Sequence, residues 1–410
     1  MRKDGSVDTR LLELEDFKKT GRLSAADEAK LCEAAKLLSA GKLVAFPTET
    51  VYGLGGNALL PDASERIYAA KGRPSDNPLI VHIADLKALS PLVEAVPERA
   101  RALAERFWPG PLTMILKKAD CVPYETTGGL DTVAVRMPEH PAARTLIRLS
   151  GVPVAAPSAN TSGRPSPTAA EHVREDLFGK IEAIVDGGSA GIGVESTIID
   201  LSGGKPVLLR PGAITLEMLQ KALSEEVLLD PALEHPLDAS VHPKAPGMKY
   251  RHYAPKAPML IVEPASEDFS ESGLMRAAEE IIRLSEDGIR EGKRVGIICS
   301  EETMPVYQAR LSVFCRRFGE NAPKASAGID GPAANTEPDS ASADLGRVFL
   351  RSFGAHAEEA SVAHNLFGIL REMDERKIEL ILSEGVDPEQ LGYAIMNRLK
   401  KAAGQNVRFV

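Results

Sequence analysis

The residues able to do chemistry gather in a few short stretches. In PTETVYGLGG, Pro47 to Gly56, the hydroxyls of Thr48, Thr50 and Tyr52 and the carboxylate of Glu49 follow an apolar strand pattern directly. Strand ends are where α/β proteins tend to hold ligands, and glycines let a ligand approach the backbone closely. The plain alternative is an ordinary tight turn. The spacing is neither GxGxxG nor a P-loop, so no dinucleotide fold follows from it.

In KGRPSDNPLIVHI, Lys71 and Arg73 end a helix pattern, Pro74 and Pro78 stiffen the loop, and Asn77 adds an amide. Cations at a helix C-terminus suit the dipole, so a solvated helix end is the bland reading. Fixed cations beside a strand are also what a polyphosphate needs while charge builds on its leaving group. His82 sits between Val81 and Ile83, where a lone histidine is more often a satisfied core residue than a ligand.

APSANTSGRPSPT, Ala156 to Thr168, carries Ser158, Asn160, Thr161, Ser162 and Ser166 in a loop held by Gly163 and flanking prolines. No histidine and acid are placed to make Ser158 a nucleophile, and no GxSxG elbow surrounds it, so binding is favoured over covalent catalysis. Polar residues also punctuate apolar strands: Thr132 and Arg136 in DTVAVRMP, Ser196 in VESTIIDL and Arg210 in VLLRPG. Strands of one sheet bring such ends into a common cleft. Last, APGMKYRHYAP, Ala245 to Pro255, places Tyr250 and Tyr253 among Lys249, Arg251 and His252 in a segment otherwise punctuated like a linker.

These groups need elements to hold them. SAADEAKLCEAAKLLSAG reads as a helix capped by Ser24 and closed at Gly41; KLVAFPT then reads as a strand. The alternation continues through DASERIYAAKGR, PLIVHI, PERARALAERFW, LTMILKK, TVAVRMP and HPAARTLIRLSG, then strands AIVDGG and STIIDLSGGKPVLLR, the latter folded at Gly203-Gly204. Helices separating buried strands imply α/β with a mixed sheet over residues 1–229. Residues 230–258 are proline-rich without a sustained period and read as a linker. From 259 to 410 the pattern restarts as a smaller, mostly parallel unit: PMLIVE, a long helix, RVGIICS, a polar loop GIDGPAANTEPDSASADLG, then helix, strand KIELILSEG and helix. It lacks a glycine fingerprint, so no nucleotide is assigned to it.

Composition bounds the class. At 410 residues with 43% hydrophobic content the chain can bury two cores. A net charge of -9 argues against coating nucleic acid or membrane by bulk charge. Cys32, Cys121, Cys299 and Cys315 show no CxxC spacing and no metal pattern with histidine, so reduced thiols are expected. No apolar run suits a signal peptide or approaches the ~20 residues of a membrane span, so a soluble, cytoplasmic protein is expected.

Taken in order, PTETVYGLG, the K-x-R of KGRPSDNPL, the S-x-N of PSAN, ESTIIDL, LRPGAI and PGMKYRHYAP resemble the threonylcarbamoyl-AMP synthase family in its long, two-domain form. The likeness runs from about residue 25 to the C-terminus, where NLFGILREMD and AIMNRLKKAA are similar to the family's second domain. It implies a YrdC-like twisted mixed sheet with a concave cavity, plus a smaller Rossmann-like C-terminal domain. It implies synthesis of L-threonylcarbamoyladenylate from L-threonine, bicarbonate or CO2, and ATP, with release of pyrophosphate, for modification of tRNA at position 37.

By motif position the resemblance makes Lys71 and Arg73 catalytic. It gives Arg73, Asn77, Thr132, Ser158, Asn160, Ser166, Arg210, Tyr250 and Tyr253 to ATP, and Thr50, His82, Arg136, Ala156 (by its backbone) and Ser196 to L-threonine. It implies Mg2+ carried with ATP and held by phosphates and water rather than protein side chains, no organic cofactor, and downstream tRNA threonylcarbamoyl-transfer proteins as partners. Neither stable nucleic acid binding nor membrane attachment is expected. Ala245 departs from the serine more usual there. A competing reading, a non-catalytic double-stranded RNA binder of YrdC-like fold, is opposed by the acidity of the chain. A carbamoyl transferase using the same domain would need cysteine arrays that four scattered thiols cannot supply.

Overall fold

The computed structural model describes residues 7–233, 242–249, 252–319 and 341–410. The chain divides into two compact units, Met1–Tyr253 and Ala254–Val410. In the first, the strands are β1 (Arg10–Glu13), β2 (Val44–Phe46), β3 (Gly53–Asn57), β4 (Ile80–His82), β5 (Leu112–Lys117), β6 (Thr132–Arg136), β7 (Val154–Ala155), β8 (Ala183–Asp186), β9 (Thr197–Asp200), β10 (Val207–Arg210) and β11 (Leu228–Leu229). They form one mixed sheet in the order β1-β8-β2-β3-β7-β4-β6-β5-β9-β10-β11. The main helices are α1 (Glu15–Thr20), α2 (Ala25–Ser39), α3 (Pro61–Lys71), α4 (Glu98–Phe107), α5 (Tyr124–Thr127), α6 (Pro141–Ser150), α7 (Ala170–Leu177) and α8 (Leu216–Leu223).

Local chemistry explains the boundaries. Ser24 caps α2 through a reciprocal box: its hydroxyl accepts the Asp27 N–H at 3.2 Å and the Asp27 carboxylate accepts the Ser24 N–H at 3.3 Å. α3 starts on Pro61 and stops at Gly72, whose φ of 60° closes it with a left-handed cap. Apolar side chains on the two sides of the sheet form separate cores. One gathers Tyr52, Leu54, Ile67, Leu103, Met114 and Val135; the other packs α2 and α6 onto the sheet through Leu31, Leu38, Phe46 and Leu146.

Several elements of this unit escape the sequence pattern, β3 and β1 among them. GLGGN is a fully buried strand, β3, rather than part of a turn or ligand loop. Its glycines answer to packing: a Cβ on Gly55 would stand 2.8 Å from Phe46 Cε1 and 2.9 Å from Val154 Cγ1. β1 adds an edge strand parallel to β8, with one buried residue in four and hence little periodic signal.

The second unit has strands β12 (Met259–Glu263), β13 (Val295–Ser300), β14 (Ser342–Asp344), β15 (Val348–Gly354), β16 (Leu380–Glu384) and β17 (Val407–Phe409), ordered β14-β15-β13-β16-β12-β17. All pairings are parallel except β14 with β15. Of its helices α9 (Glu271–Arg290), α10 (Met304–Gly319), α11 (Glu359–Glu375) and α12 (Gln390–Ala402), α9 packs with α10 and α11 with α12. This is a doubly wound, Rossmann-like arrangement. The sequence pattern omits β15 and reads the stretch containing β14 as loop; the rest of that stretch lies largely outside the described residues.

Candidate active site

Sheet order decides which side chains meet. Strands β4, β6, β5, β9 and β10 are neighbours, with His82 paired to Arg136 across β4/β6 and Arg136 to Thr113 across β6/β5. β4, β6 and β10 finish at this edge, at His82, Arg136 and Arg210, while β5 and β9 begin there, at Leu112 and Thr197. The loop after β2 and the turn after β7 reach the pocket from the other end of β4, where Ala156 follows β7 beside Ile80. The result is a pocket whose lining includes Thr50, Arg73, His82, Arg136, Ser158, Glu195, Ser196, Arg210 and Tyr253.

Each polar group in the wall is held by another. The Thr48 hydroxyl donates to the Val51 carbonyl at 2.6 Å, so at its 2.9 Å contact with Thr50 it accepts, and Thr50 in turn accepts from Arg136 Nη1 at 2.8 Å. Arg136 Nη2 meets Glu49 Oε1 at 2.6 Å and Nε donates to the Gly110 carbonyl at 3.3 Å. Arg73 donates to the carbonyls of Asn77 and Pro78 at 3.2 and 3.1 Å. Arg210 donates to the Ser196 carbonyl at 2.9 Å and hydroxyl at 3.1 Å, and Ser196 shares a 2.8 Å contact with Thr113.

Burial sets the charge states. Desolvation pushes the Arg73 guanidinium down to about 10, which leaves it cationic near neutrality. His82 is pushed down to about 3, by burial first and by the Arg136 charge second, so its imidazole is neutral. Its Nδ1 lies 3.1 Å from the Ile80 carbonyl, which can only accept; the proton is therefore on Nδ1 and Nε2 carries a lone pair. For Glu49, burial alone would raise the carboxyl, but the Arg136 charge and hydrogen bond, with backbone N–H groups, bring it below its ordinary value.

Of the residues expected from sequence, Thr50, Arg73, His82, Arg136, Ala156, Ser158, Ser196, Arg210 and Tyr253 all line the pocket. The Ala156 N–H donates to the Ile80 carbonyl at 2.8 Å, so a backbone contact with a ligand falls to its carbonyl oxygen. Lys71, Asn77, Asn160 and Ser166 are buried just behind the wall. Lys71 Nζ donates to the carbonyls of Ser158 and Asn160, and the Ser166 hydroxyl to Glu195 Oε1 at 2.5 Å. Thr132 stands at the opposite end of β6 from Arg136, about 13 Å away at the usual strand rise. Tyr250 lies outside the described residues. Glu195 also lines the pocket and was missed, while Pro246, Gly247 and His252 line it within the segment Ala245–Pro255 singled out above. The acid opening VESTIIDL against an apolar run was the available signal for Glu195.

Among the described residues no group of three or more His, Cys, Asp or Glu is placed to hold a metal, and no helix is long and apolar enough to cross a membrane. The lining holds buried arginines, a neutral imidazole and hydroxyls on strand ends. That arrangement defines an α/β protein with a site suited, by fixed charge and hydrogen-bonding groups, to anionic parts of small molecules.

Comparison with known proteins narrows the class. Residues 36–212 match the family model described as "Telomere recombination", and residues 214–404 the one described as "Threonylcarbamoyl-AMP synthase, C-terminal domain". The chain is 47% identical to a threonylcarbamoyl-AMP synthase of Pyrococcus abyssi, covering 93% of this chain and 96% of that protein. It is 45% identical to one of Bacillus subtilis, covering 95% and 96%. A crystal structure of Pyrococcus abyssi Sua5 complexed with L-threonine superposes with a TM-score of 0.77 at 44% identity, covering 98% of this chain and 99% of that one. The chain belongs to the threonylcarbamoyl-AMP synthase family.

Proposed function

We propose that the protein is an L-threonylcarbamoyladenylate synthase, a nucleotidyltransferase that joins L-threonine, bicarbonate or CO2, and ATP and releases pyrophosphate. This is the first step of threonylcarbamoyladenosine formation at position 37 of tRNA. The observation that carries the reading is the convergence of Arg73, Arg136 and Arg210 with neutral His82 in one buried pocket, in a chain so similar to a protein solved with L-threonine.

The threonine amine captures CO2 as a carbamate, and a carbamate oxygen then attacks the α-phosphorus in line with departing pyrophosphate. Such a reaction asks for positioning and charge neutralisation rather than a protein nucleophile. Arg73 and Arg210 take the phosphates, with Ser158 beside them and Lys71, Asn77, Asn160 and Ser166 supporting the loops; Thr132 takes the far end of the nucleotide. Arg136 takes the threonine carboxylate, with Thr50, Ser196 and the Ala156 carbonyl around the amino acid. His82 Nε2 accepts a hydrogen bond from its ammonium or hydroxyl group.

Mg2+ would enter with the triphosphate and neutralise charge on the leaving group. One carboxylate, Glu195, is among the lining residues, which suits a cation held mainly by phosphates and water. Residues 230–258, of which 234–241, 250 and 251 lie outside the described residues, are assigned as the linker joining domains 1–229 and 259–410 and as a cover for the site, because a carbamate and an acyl-adenylate both need shielding from water. The product passes, in the cytoplasm, to tRNA threonylcarbamoyl-transfer proteins.

Pyrophosphate release decides the matter. Release that requires threonine and bicarbonate together supports the synthase. No release under any condition, with tight double-stranded RNA binding instead, would replace it with the RNA-binding reading.

A further inference from the structure

Arg136 is anchored in an unusual way for a ligand-binding arginine. Its Nη2 is 2.6 Å from Glu49 Oε1, and both side chains are deeply buried, at 4% and 11% exposure. Arg136 is among the residues lining the pocket and Glu49 is not, so the carboxylate meets the guanidinium outside that lining. Glu49 is fixed from its own backbone as well: its carbonyl accepts the Ile192 N–H at 2.7 Å. Arg73, by contrast, rests on the carbonyls of Asn77 and Pro78.

Two consequences follow from charge and geometry. Two of the five guanidinium N–H groups are hydrogen-bonded, to Gly110 and Thr50, and Nη2 faces Glu49 as an ion pair without a hydrogen bond. The N–H groups left can pair with a carboxylate. The second consequence concerns net charge. A buried carboxylate at ion-pair distance cancels much of the guanidinium field, and its repulsion scales with the charge of whatever approaches. Triphosphate and pyrophosphate carry several negative charges, whereas threonine is a zwitterion with none in sum. A fixed anion paired with Arg136 therefore penalises polyphosphate far more than the amino acid.

We propose that Glu49 partitions the positive charge of the pocket: by neutralising Arg136 from outside the lining, it keeps polyphosphate off the amino-acid subsite and leaves the bare cation of Arg73 to ATP. Glu49 is thus a specificity-determining residue that acts through Arg136. The inference rests on the assignment of Arg136 to threonine made above.

The test is calorimetric titration of the full-length protein with inorganic tripolyphosphate and with L-threonine, separately and together, alongside steady-state competition. In the wild type the two ligands bind side by side. Glu49→Gln keeps shape and removes charge; it should bind tripolyphosphate ~10-fold tighter and threonine within about threefold. ATP should then become competitive with threonine, so that the apparent KM for threonine climbs with ATP concentration. Glu49→Asp, which keeps the charge, should retain the wild-type separation. Unchanged tripolyphosphate affinity and no competition in the Gln variant overturn the inference. So does a folded Asp variant that loses threonine binding, because geometry rather than charge would then be at work. A wild-type protein that binds no threonine sinks the parent assignment and this inference with it; wild-type threonine binding with no Gln effect sinks the inference alone.

Discussion

The ammonium of Lys71 lies 2.5 Å from the Asn160 carbonyl oxygen, and it also donates to the Ser158 carbonyl and, at 3.3 Å, to Asn160 Oδ1. A residue expected to meet phosphate is thus the peg that holds the loop carrying Ser158. Lys71→Met keeps the stem and leaves buried acceptors without a donor, a loss of about 3 kcal/mol. Urea unfolding should show that loss, and the KM for ATP should rise with it. Full stability with lost turnover would instead make Lys71 a substrate contact alone.

Arg73 combines both duties. Arg73→Ala should lower kcat/KM by roughly 10³-fold, the scale of a cation facing developing phosphate charge. It should also cost about 2 kcal/mol, since the carbonyls of Asn77 and Pro78 lose a buried donor. A circular-dichroism melt and pyrophosphate release separate the two effects. Unchanged turnover in a folded variant refutes the role.

Two histidines make stability fall on acidification. Burial pushes His82 down to about 3 and His140 to about 4, whereas both titrate near 6.5 in the unfolded chain. Below that value the unfolded state binds protons that the folded state refuses. Stability is therefore complete above pH ~6.5 and declines toward pH ~4, by up to about 1.4 kcal/mol per pH unit for each histidine. Urea midpoints at pH 7 and 5 should differ accordingly. His82→Gln and His140→Gln should each flatten the profile; a wild-type profile already flat would show that folding lowers the proton affinity of neither ring.

Much of this site was legible because its parts are short motifs tied to strand ends. Arg136 and Arg210 each close an apolar run and pointed to a common cleft, whereas His82 read as a core residue from its neighbours and as a ligand contact only through the family resemblance. What stayed hidden depends on distance in sequence. Glu49 was visible within PTET, yet its pairing with Arg136 needs β4 and β7 to lie between β3 and β6 in the sheet, which no local pattern states. The strand at Gly53–Asn57 looked like a loop because the space its glycines leave is filled by Phe46 and Val154. Lys71 looked like a free cation because nothing nearby in sequence shows the carbonyls that it ties together.

The linker motif returns as part of the wall. Tyr253 is buried, has a φ of 62°, and stands near enough to Arg73 to help sustain its charge. Gly247, with φ 87°, passes so close that a Cβ there would come 3.4 Å from the Tyr253 hydroxyl oxygen. Two left-handed residues, one of them a tyrosine, thus fix how the segment enters the pocket. An alanine at 247 would be strained at that φ by about 1 kcal/mol, with no cavity or lost charge to add to it. Gly247→Ala should therefore leave the melting temperature nearly unchanged and reduce turnover about tenfold. Tyr253→Ala should raise the KM for ATP more than Tyr253→Phe does, since the proposed contact with the nucleotide is made by the ring, which the Phe variant keeps. Equal kinetics in all three variants would show that the segment passes the pocket without serving it.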